Sequence, residues 1–367
     1  MKHVLIVSND SKSLLDFRWS LIQELRRQGT SVTLVCSQDT SFAKLSQAAI
    51  VDDVTLIPYA IRNSGLNPIE DLKFIRFLNR LYRFHSITHV LLFRVKPVLY
   101  GSLAALGTQV KAIATITGLG YVYTQTTLKT RLLRLITNTL YRISLTQTQW
   151  VFFQNKDDHQ FFTNSGLVSP KKSSVVGGSG VDLDIFRQTP LPPSISFLMV
   201  ARLLRDKGIW EYLEAAKKLK KKYPHVDFKL AGGASDNPAS IPVQDVEAFC
   251  QQNKIQYLGQ VSDMVSALRQ SSVFVLPSYR EGMPRAGLEA LSSGRPIVTT
   301  DTPGCRDLIG GNGFVIPIQD TQALMEAMEK MITLPYDELC NMAKQSRVIA
   351  ETVYDVKLVN QAILEKL

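Results

Sequence analysis

The 367-residue chain has only four cysteines, Cys36, Cys250, Cys305 and Cys340, all far apart and none in a Cys-x-x-Cys pair. That spacing excludes a disulfide frame and a thiolate zinc site, and the thiols read as reduced and cytosolic. Histidine is as sparse, with five in all. His85 and His89 stand four apart, but Ile87 and Thr88 lead into an apolar run and no acid completes a metal set. Long apolar stretches are missing: no window approaches the ~18 uncharged residues of a membrane span. The opening "MKHVLIVSND" carries a short apolar run, which predicts a first strand rather than a signal-peptide core. No G-x-G-x-x-G follows it and no G-x-x-x-x-G-K-[ST] occurs anywhere, which argues against a dinucleotide oxidoreductase and a P-loop enzyme. A nucleic-acid-binding role lacks the interleaved aromatics on a basic strand face that it would need.

What is present is a large apolar fraction, 45 %, with 20 % charged residues. Such a chain can build substantial cores and is long enough for two domains. Net charge is +10, and its placement is uneven. Residues 1–188 hold 22 Lys and Arg against 12 Asp and Glu, whereas residues 189–367 hold 20 of each. The excess therefore belongs to the first half, which predicts an anionic partner there.

Short β-rich runs alternate with helical patterns in both halves, the signature of parallel sheets with covering helices. The first half offers "HVLIVSN", "SVTLVCS", "THVLLFRV", "KAIATITG" and "WVFFQN"; the second offers "ISFLMVARL", "DFKLAGG", "IQYLG", "VFVLPS" and "PIVTTD". Residues 16–29 read as a helix closed by Gly29. "VVGGSGVDLDIFRQTPLPPS" is a linker by composition, and its Asp182 and Asp184 read as turn-capping acids. The reading is α/β: two doubly wound, Rossmann-like domains facing across a cleft. The first spans 1–188 and the second 189–345, with a helix over 346–367 that packs back on the first. In such sheets ligands gather at the carboxyl ends of the strands.

Two stretches carry chemistry. In "FLMVARLLRDKGIWEYLEAA", Arg202 and Lys207 fall between a strand and a helix that Gly208 opens, a suitable cradle for a diphosphate. In "LPSYREGMPRAGLEALSSG", Glu281 lies in a loop and Glu289 one turn inside the following helix. Carboxylates accept hydrogen bonds from vicinal hydroxyls, so one acid for a sugar and one for a ribose fits a nucleotide-sugar. Gly282, Met283 and Pro284 bring backbone N–H groups close to such a ligand. Surface cations and solvent-facing glutamates are the plainer reading of the same residues.

Taken together, "VARLLRDKG", "SYREGMPRAGLEALSSGRPIVTTDTPGC", "RVKPVLYGSLAA", "TITGLGYVYT", "GSGVDLDIF", "GGASDNPAS" and "YLGQVSD" resemble the retaining GT-B glycosyltransferases of family GT4. They are most similar to a bacterial subgroup that extends undecaprenyl-diphosphate-linked glycans. The resemblance implies GT-B architecture, a UDP-sugar donor, no metal, and transfer of a hexose or N-acetylhexosamine with retention to a polyprenyl-diphosphate-linked saccharide. It assigns catalysis to Arg202, Lys207 and Glu281. It gives donor binding to Gly282, Met283, Pro284, Glu289, Gln260, Val261 and Gly232, with Asp263 capping the next helix. It brings Gly118, Leu119 and Gly120 toward the acceptor; here the chain has "TGLG" where many relatives place a histidine. A sugar-nucleotide epimerase or another GT-B enzyme is the alternative reading, and a non-catalytic basic binding protein comes after it.

Two basic amphipathic stretches complete the picture. One carries Lys73, Arg76, Arg80 and Arg83 opposite Leu72, Ile75, Leu78, Leu81 and Tyr82; the other carries Lys129, Arg131, Arg134 and Arg142. Each fits either a sheet-covering helix or one lying on anionic lipid. With the resemblance, the expected location is cytoplasmic, peripheral on the inner membrane. Arg18, Arg94 and Lys96 are the candidates for the acceptor diphosphate.

Overall fold

Continuous apolar runs bounded by turns give buried parallel strands, because helices cover both faces of each sheet. The computed structural model describes residues 2–61, 67–119, 123, 128–235, 237 and 239–367. The chain divides into two compact units, Met1–Ser179 with Leu358–Leu367, and Gly180–Lys357.

The first unit holds β1 (His3–Asp10), β2 (Ser31–Ser37), β3 (Thr55–Pro58), β4 (His89–Phe93), β5 (Lys111–Ile116), β6 (Thr148–Phe153) and β7 (Ser173–Val175). They form one sheet in the order β3-β2-β1-β4-β5-β6-β7, and every pairing is parallel. The helix Ser11–Arg27 follows β1 directly because the Asp10 side chain caps it, accepting from the Ser13 N–H at 2.7 Å. It starts five residues earlier than the apolar pattern predicts, and Gly29 at φ +75° ends the turn beyond it. Leu14, Leu21, Ile22 and Leu25 bury its inner face in a layer shared with Val359 and Ile363 of the C-terminal segment. Asn360 Nδ2 donates to Ser20 Oγ at 3.2 Å on the same side. Phe74, Leu78, Leu81, Tyr82, Tyr141, Leu145 and Phe162 make up part of the opposite layer.

The second unit holds β8 (Ser196–Val200), β9 (Asp227–Ala231), β10 (Gln256–Tyr257), β11 (Val273–Leu276), β12 (Ile297–Thr300) and β13 (Gly313–Ile316), in the order β10-β9-β8-β11-β12-β13. These pairings are parallel too. Phe197 and Phe228 stack at 5.3 Å in one layer, and Leu198, Phe274 and Leu288 lie in the other. Arg295 is fully buried, donating to the carbonyls of Ser271, Thr189 and Ser293. Those bonds pin the linker residue Thr189 to the unit and leave no guanidinium edge unsolvated without a partner.

In both sheets the strand order reverses beside the first strand: at β1/β4 in one unit and at β8/β11 in the other. Such switch points open a crevice at the carboxyl ends of the strands. The sheets are therefore two doubly wound, Rossmann-like folds.

Candidate active site

At the β8/β11 switch point the chain leaves β8 through Arg202 and turns through the short 3-10 segment Arg205–Lys207 into the helix Ile209–Lys222. Gly208 sits at φ +72°, and a Cβ there would lie 2.3 Å from the Pro277 carbonyl oxygen. Only glycine lets the helix start press against the end of β11. The two connections are also tied by hydrogen bonds, Tyr279 N to Asp206 O at 2.8 Å and Tyr279 Oη to Glu211 Oε1 at 2.6 Å. Burial and the Glu211 carboxylate push the Tyr279 phenol up to about 12, so it stays a donor.

This clip places Lys207 Nζ 2.7 Å from Glu281 Oε1, and Ser278 Oγ donates to the same oxygen at 2.9 Å. The two charged side chains are only 13 % and 18 % exposed, so the pair is weakly screened. Ser278 is fully buried, and its carbonyl accepts from Thr300 Oγ1. Behind the acid, Glu281 N donates to Pro303 O at 3.3 Å, and Gly304 at φ +77° lies so close that a Cβ would come 2.5 Å from Gly282 O. The buried Cys305 thiol beneath is raised to about 11, mainly by desolvation and then by the Glu281 charge.

Gly282 and Met283 are half-buried, Pro284 is buried, and the helix Arg285–Ser292 begins there. Glu289 lies one turn inside it, buried, with Arg285 Nε 2.7 Å from its Oε1. Each of the two acids thus has its own cation. Arg202 is exposed and makes no ion pair among the described residues. A Cβ on Gly232 would fall 1.9 Å from Ala201 O, and one on Gly233 would fall 3.3 Å from Gln260 Oε1. Gly232 N also donates to Gly259 O at 2.8 Å. The turns after β8, β9 and β10 therefore lie side by side, with Gln260 exposed, Val261 half-buried and Asp263 capping Met264–Arg269 through Ser266 N.

At the β1/β4 switch point Arg94 follows β4 with φ +74°, an unusual conformation for a side-chain-bearing residue. Its Nη1 lies 3.2 Å from Asp10 Oδ2 and its Nη2 donates to Ser13 Oγ at 2.6 Å. Arg18 is buried, its guanidinium carbon 4.0 Å above the Phe93 ring. Lys96 is directed elsewhere, to Asp71 Oδ1 at 3.0 Å, whose other oxygen accepts from Tyr100 Oη at 2.8 Å. Gly118 has φ +137° two residues past β5, and Leu119 is buried. Gly120 lies outside the described residues.

Sequence reasoning missed the supporting residues Ser278, Tyr279, Gly304, Asp10 and Ser13. Ser278 stands three before Glu281, a spacing that signals a local hydroxyl–carboxylate contact, but the others depend on pairings between distant turns.

Residues 3–155 match the family described as glycosyl transferase 4-like, and residues 194–333 match glycosyl transferases group 1. The chain is similar to the N,N'-diacetylbacillosaminyl-diphospho-undecaprenol alpha-1,3-N-acetylgalactosaminyltransferase of Campylobacter jejuni. The two are 29 % identical over 98 % of this chain and 96 % of the relative. It is also similar to the UDP-Gal:alpha-D-GlcNAc-diphosphoundecaprenol alpha-1,3-galactosyltransferase of Escherichia coli, at 28 % identity over 75 % of this chain and 73 % of the relative. Among solved structures, Anabaena HepE in complex with UDP and glucose superposes with a TM-score of 0.76 at 17 % identity, covering 100 % of this chain and 99 % of that one. Paired Rossmann-like sheets of this kind define the GT-B class of fold. Both matched regions are glycosyltransferase domains of the GT4/GT1 type, and the chain is a glycosyltransferase.

Proposed function

We propose that the protein moves a hexose or N-acetylhexosamine from a UDP-sugar, with retention, onto an undecaprenyl-diphosphate-linked saccharide during surface-glycan synthesis. The activities for which the Campylobacter and Escherichia relatives are named support the acceptor class, and the UDP in HepE supports the donor. The observation that carries the reading is at the β8/β11 switch point: a little-exposed Lys207–Glu281 pair on the connection that Arg202 opens, with Arg202 itself exposed and in no ion pair among the described residues.

In this account Arg202 and Lys207 take the charge that develops on the departing UDP, a contribution of several kcal/mol in a water-excluded site. Glu281 accepts from the donor-sugar hydroxyls, with the Gly282–Pro284 backbone beside it. Glu289, held by Arg285, accepts from the ribose hydroxyls. Gln260, Val261 and Gly232 border the base. The acceptor hydroxyl attacks the anomeric carbon on the face that UDP leaves, the C–O bond to phosphate breaks, and a leaving phosphate oxygen takes the hydroxyl proton. No step calls for a protein nucleophile, and the cations serve where a divalent metal otherwise would. In the first unit Arg94 and Arg18 meet the acceptor diphosphate, with Gly118 and Leu119 on the acceptor side, and Lys96 joins them only by leaving Asp71. The enzyme works at the cytoplasmic face of the inner membrane, where its basic first unit meets anionic lipid; no helix of the described residues is long and apolar enough to cross a membrane.

The test is UDP release from a panel of UDP-sugars in EDTA, with and without an undecaprenyl-diphosphate-linked acceptor. Acceptor-dependent release with one donor supports the reading; release from none, with glycan product from another nucleotide-sugar, overturns the donor assignment.

A further inference from the structure

The helix Leu128–Thr146 is attached to the first unit by one face only. Tyr141 and Leu145 are buried in the core and Leu140 packs against it. Its outward face carries four aliphatic side chains with Thr139 and Thr146 among them: Leu132, Leu135, Ile136 and Ile143 are 62 %, 65 %, 41 % and 50 % exposed. At 100° per residue these four fall within one stripe about 100° wide. Exposed Arg131 and Arg142 run along one margin of it. The stripe lies in a peculiar part of the chain. From residue 72 to residue 156 there is no Asp or Glu, whereas twelve Lys and Arg fall in those 85 positions.

We propose that this outward stripe is the surface by which the protein docks on an anionic lipid bilayer. The aliphatic side chains enter the headgroup–acyl boundary, and the flanking guanidinium groups meet lipid phosphates. Other occupants fit less well. A nucleic acid would satisfy the charge and leave four aliphatics against a polar surface. A second copy would bring Arg131 and Arg142 of one helix toward those of the other, and like charges oppose that contact. The proposal extends the peripheral-membrane part of the function above, but it rests on the surface itself. It is read without donor or acceptor, so lipid binding and glycosyl transfer fail separately.

The test is flotation of the full chain with vesicles of phosphatidylcholine alone or with about 30 % phosphatidylglycerol, which supplies a negative surface for the guanidinium groups to meet. The wild-type chain is expected to float with the anionic vesicles and to be released by salt. The Leu132→Ser/Leu135→Ser variant should partition at least ~10-fold more weakly, since each lost apolar side chain removes buried area. Arg131→Gln/Arg142→Gln should lose ~10-fold on anionic vesicles alone. Because all four side chains are exposed, both variants should melt like wild type, which separates lost docking from lost folding. The proposal is overturned by equal flotation with neutral and anionic vesicles, or by serine variants that float as well as wild type. A concentration-dependent dimer in light scattering that Leu135→Ser abolishes would overturn it in favour of self-association.

Discussion

Lys207 and Glu281 are 74 positions apart in the chain and meet at 2.7 Å, with Ser278 donating to the same carboxylate oxygen. In the free protein the lysine proposed for the diphosphate is already neutralised by the acid proposed for the sugar. Each holds the other in place before the donor arrives. Removing either partner leaves a charge with little solvent, at a cost of about 1–3 kcal/mol. Lys207→Ala and Glu281→Ala should each lower the melting temperature, and the double variant should lower it by less than the sum. A strictly additive double variant would contradict coupling of the pair.

Arg202 offers the opposite case, exposed and without an ion pair among the described residues. Its substitution by alanine should leave stability within about 0.5 kcal/mol. Turnover should fall by about 10²- to 10³-fold, the usual effect of removing one charge-stabilising donor. Steady-state kinetics beside a thermal melt checks both halves; an unchanged kcat sinks the role.

Glu289 is buried and held by Arg285 at 2.7 Å. If it reads the ribose, Glu289→Gln should weaken UDP binding by about 1.5–3 kcal/mol, the worth of a hydrogen bond to a charged group. Calorimetry with UDP, and with 2'-deoxy-UDP as control, measures it. The variant should also bind the two nucleotides more equally than wild type does.

Gly208 and Gly304 are positions where no side chain fits, their Cβ atoms falling 2.3 and 2.5 Å from backbone oxygens. Both also have positive φ, which adds about 1 kcal/mol or more for any L residue. Gly304→Ala should move the Glu281 loop and cut activity more than it cuts stability. Equal donor KM and kcat in the variant would show that the loop absorbs the change elsewhere.

Burial holds the imidazoles of His3, His89 and His159, all in the first unit, below the usual 6.5. For His89 the neighbouring charges of Lys111 and Lys2 add to the effect. The unfolded chain then binds more protons than the folded one as pH drops below 6.5. Their contribution to stability is full above that value and is lost as pH falls through the lower folded values. The melting temperature should therefore decline between pH 7 and pH 5, and His89→Gln should flatten part of the decline. A higher melting temperature at pH 5 would contradict the sign.

Much of this architecture was legible in the linear chain. Strands such as "HVLIVSN" and "VFVLPS" are central and buried on both faces, so their apolar runs are unbroken. Thr55–Pro58, Ser173–Val175 and Gly313–Ile316 were not seen, and each is a sheet edge with half-exposed residues. Edge strands lack the continuous apolar signal. Arg202, Lys207, Glu281 and Glu289 stood out because each lies just past a strand end or inside the next helix. The partners were not legible: Asp71 for Lys96, Asp10 for Arg94 and the Gly304 backing depend on contacts 22 to 84 positions apart. The amphipathic pattern of residues 128–146 also left open which apolar side chains point outward, since both faces carry leucine.

The sharpest single experiment is donor binding by calorimetry, UDP-sugar titrated into wild type, Arg202→Ala and Lys207→Ala without divalent metal. A saturable UDP-sugar complex is expected for the native protein, with a loss of about tenfold or more in affinity for each variant. A nucleotide-sugar that binds all three proteins equally well, or none at all, would contradict it.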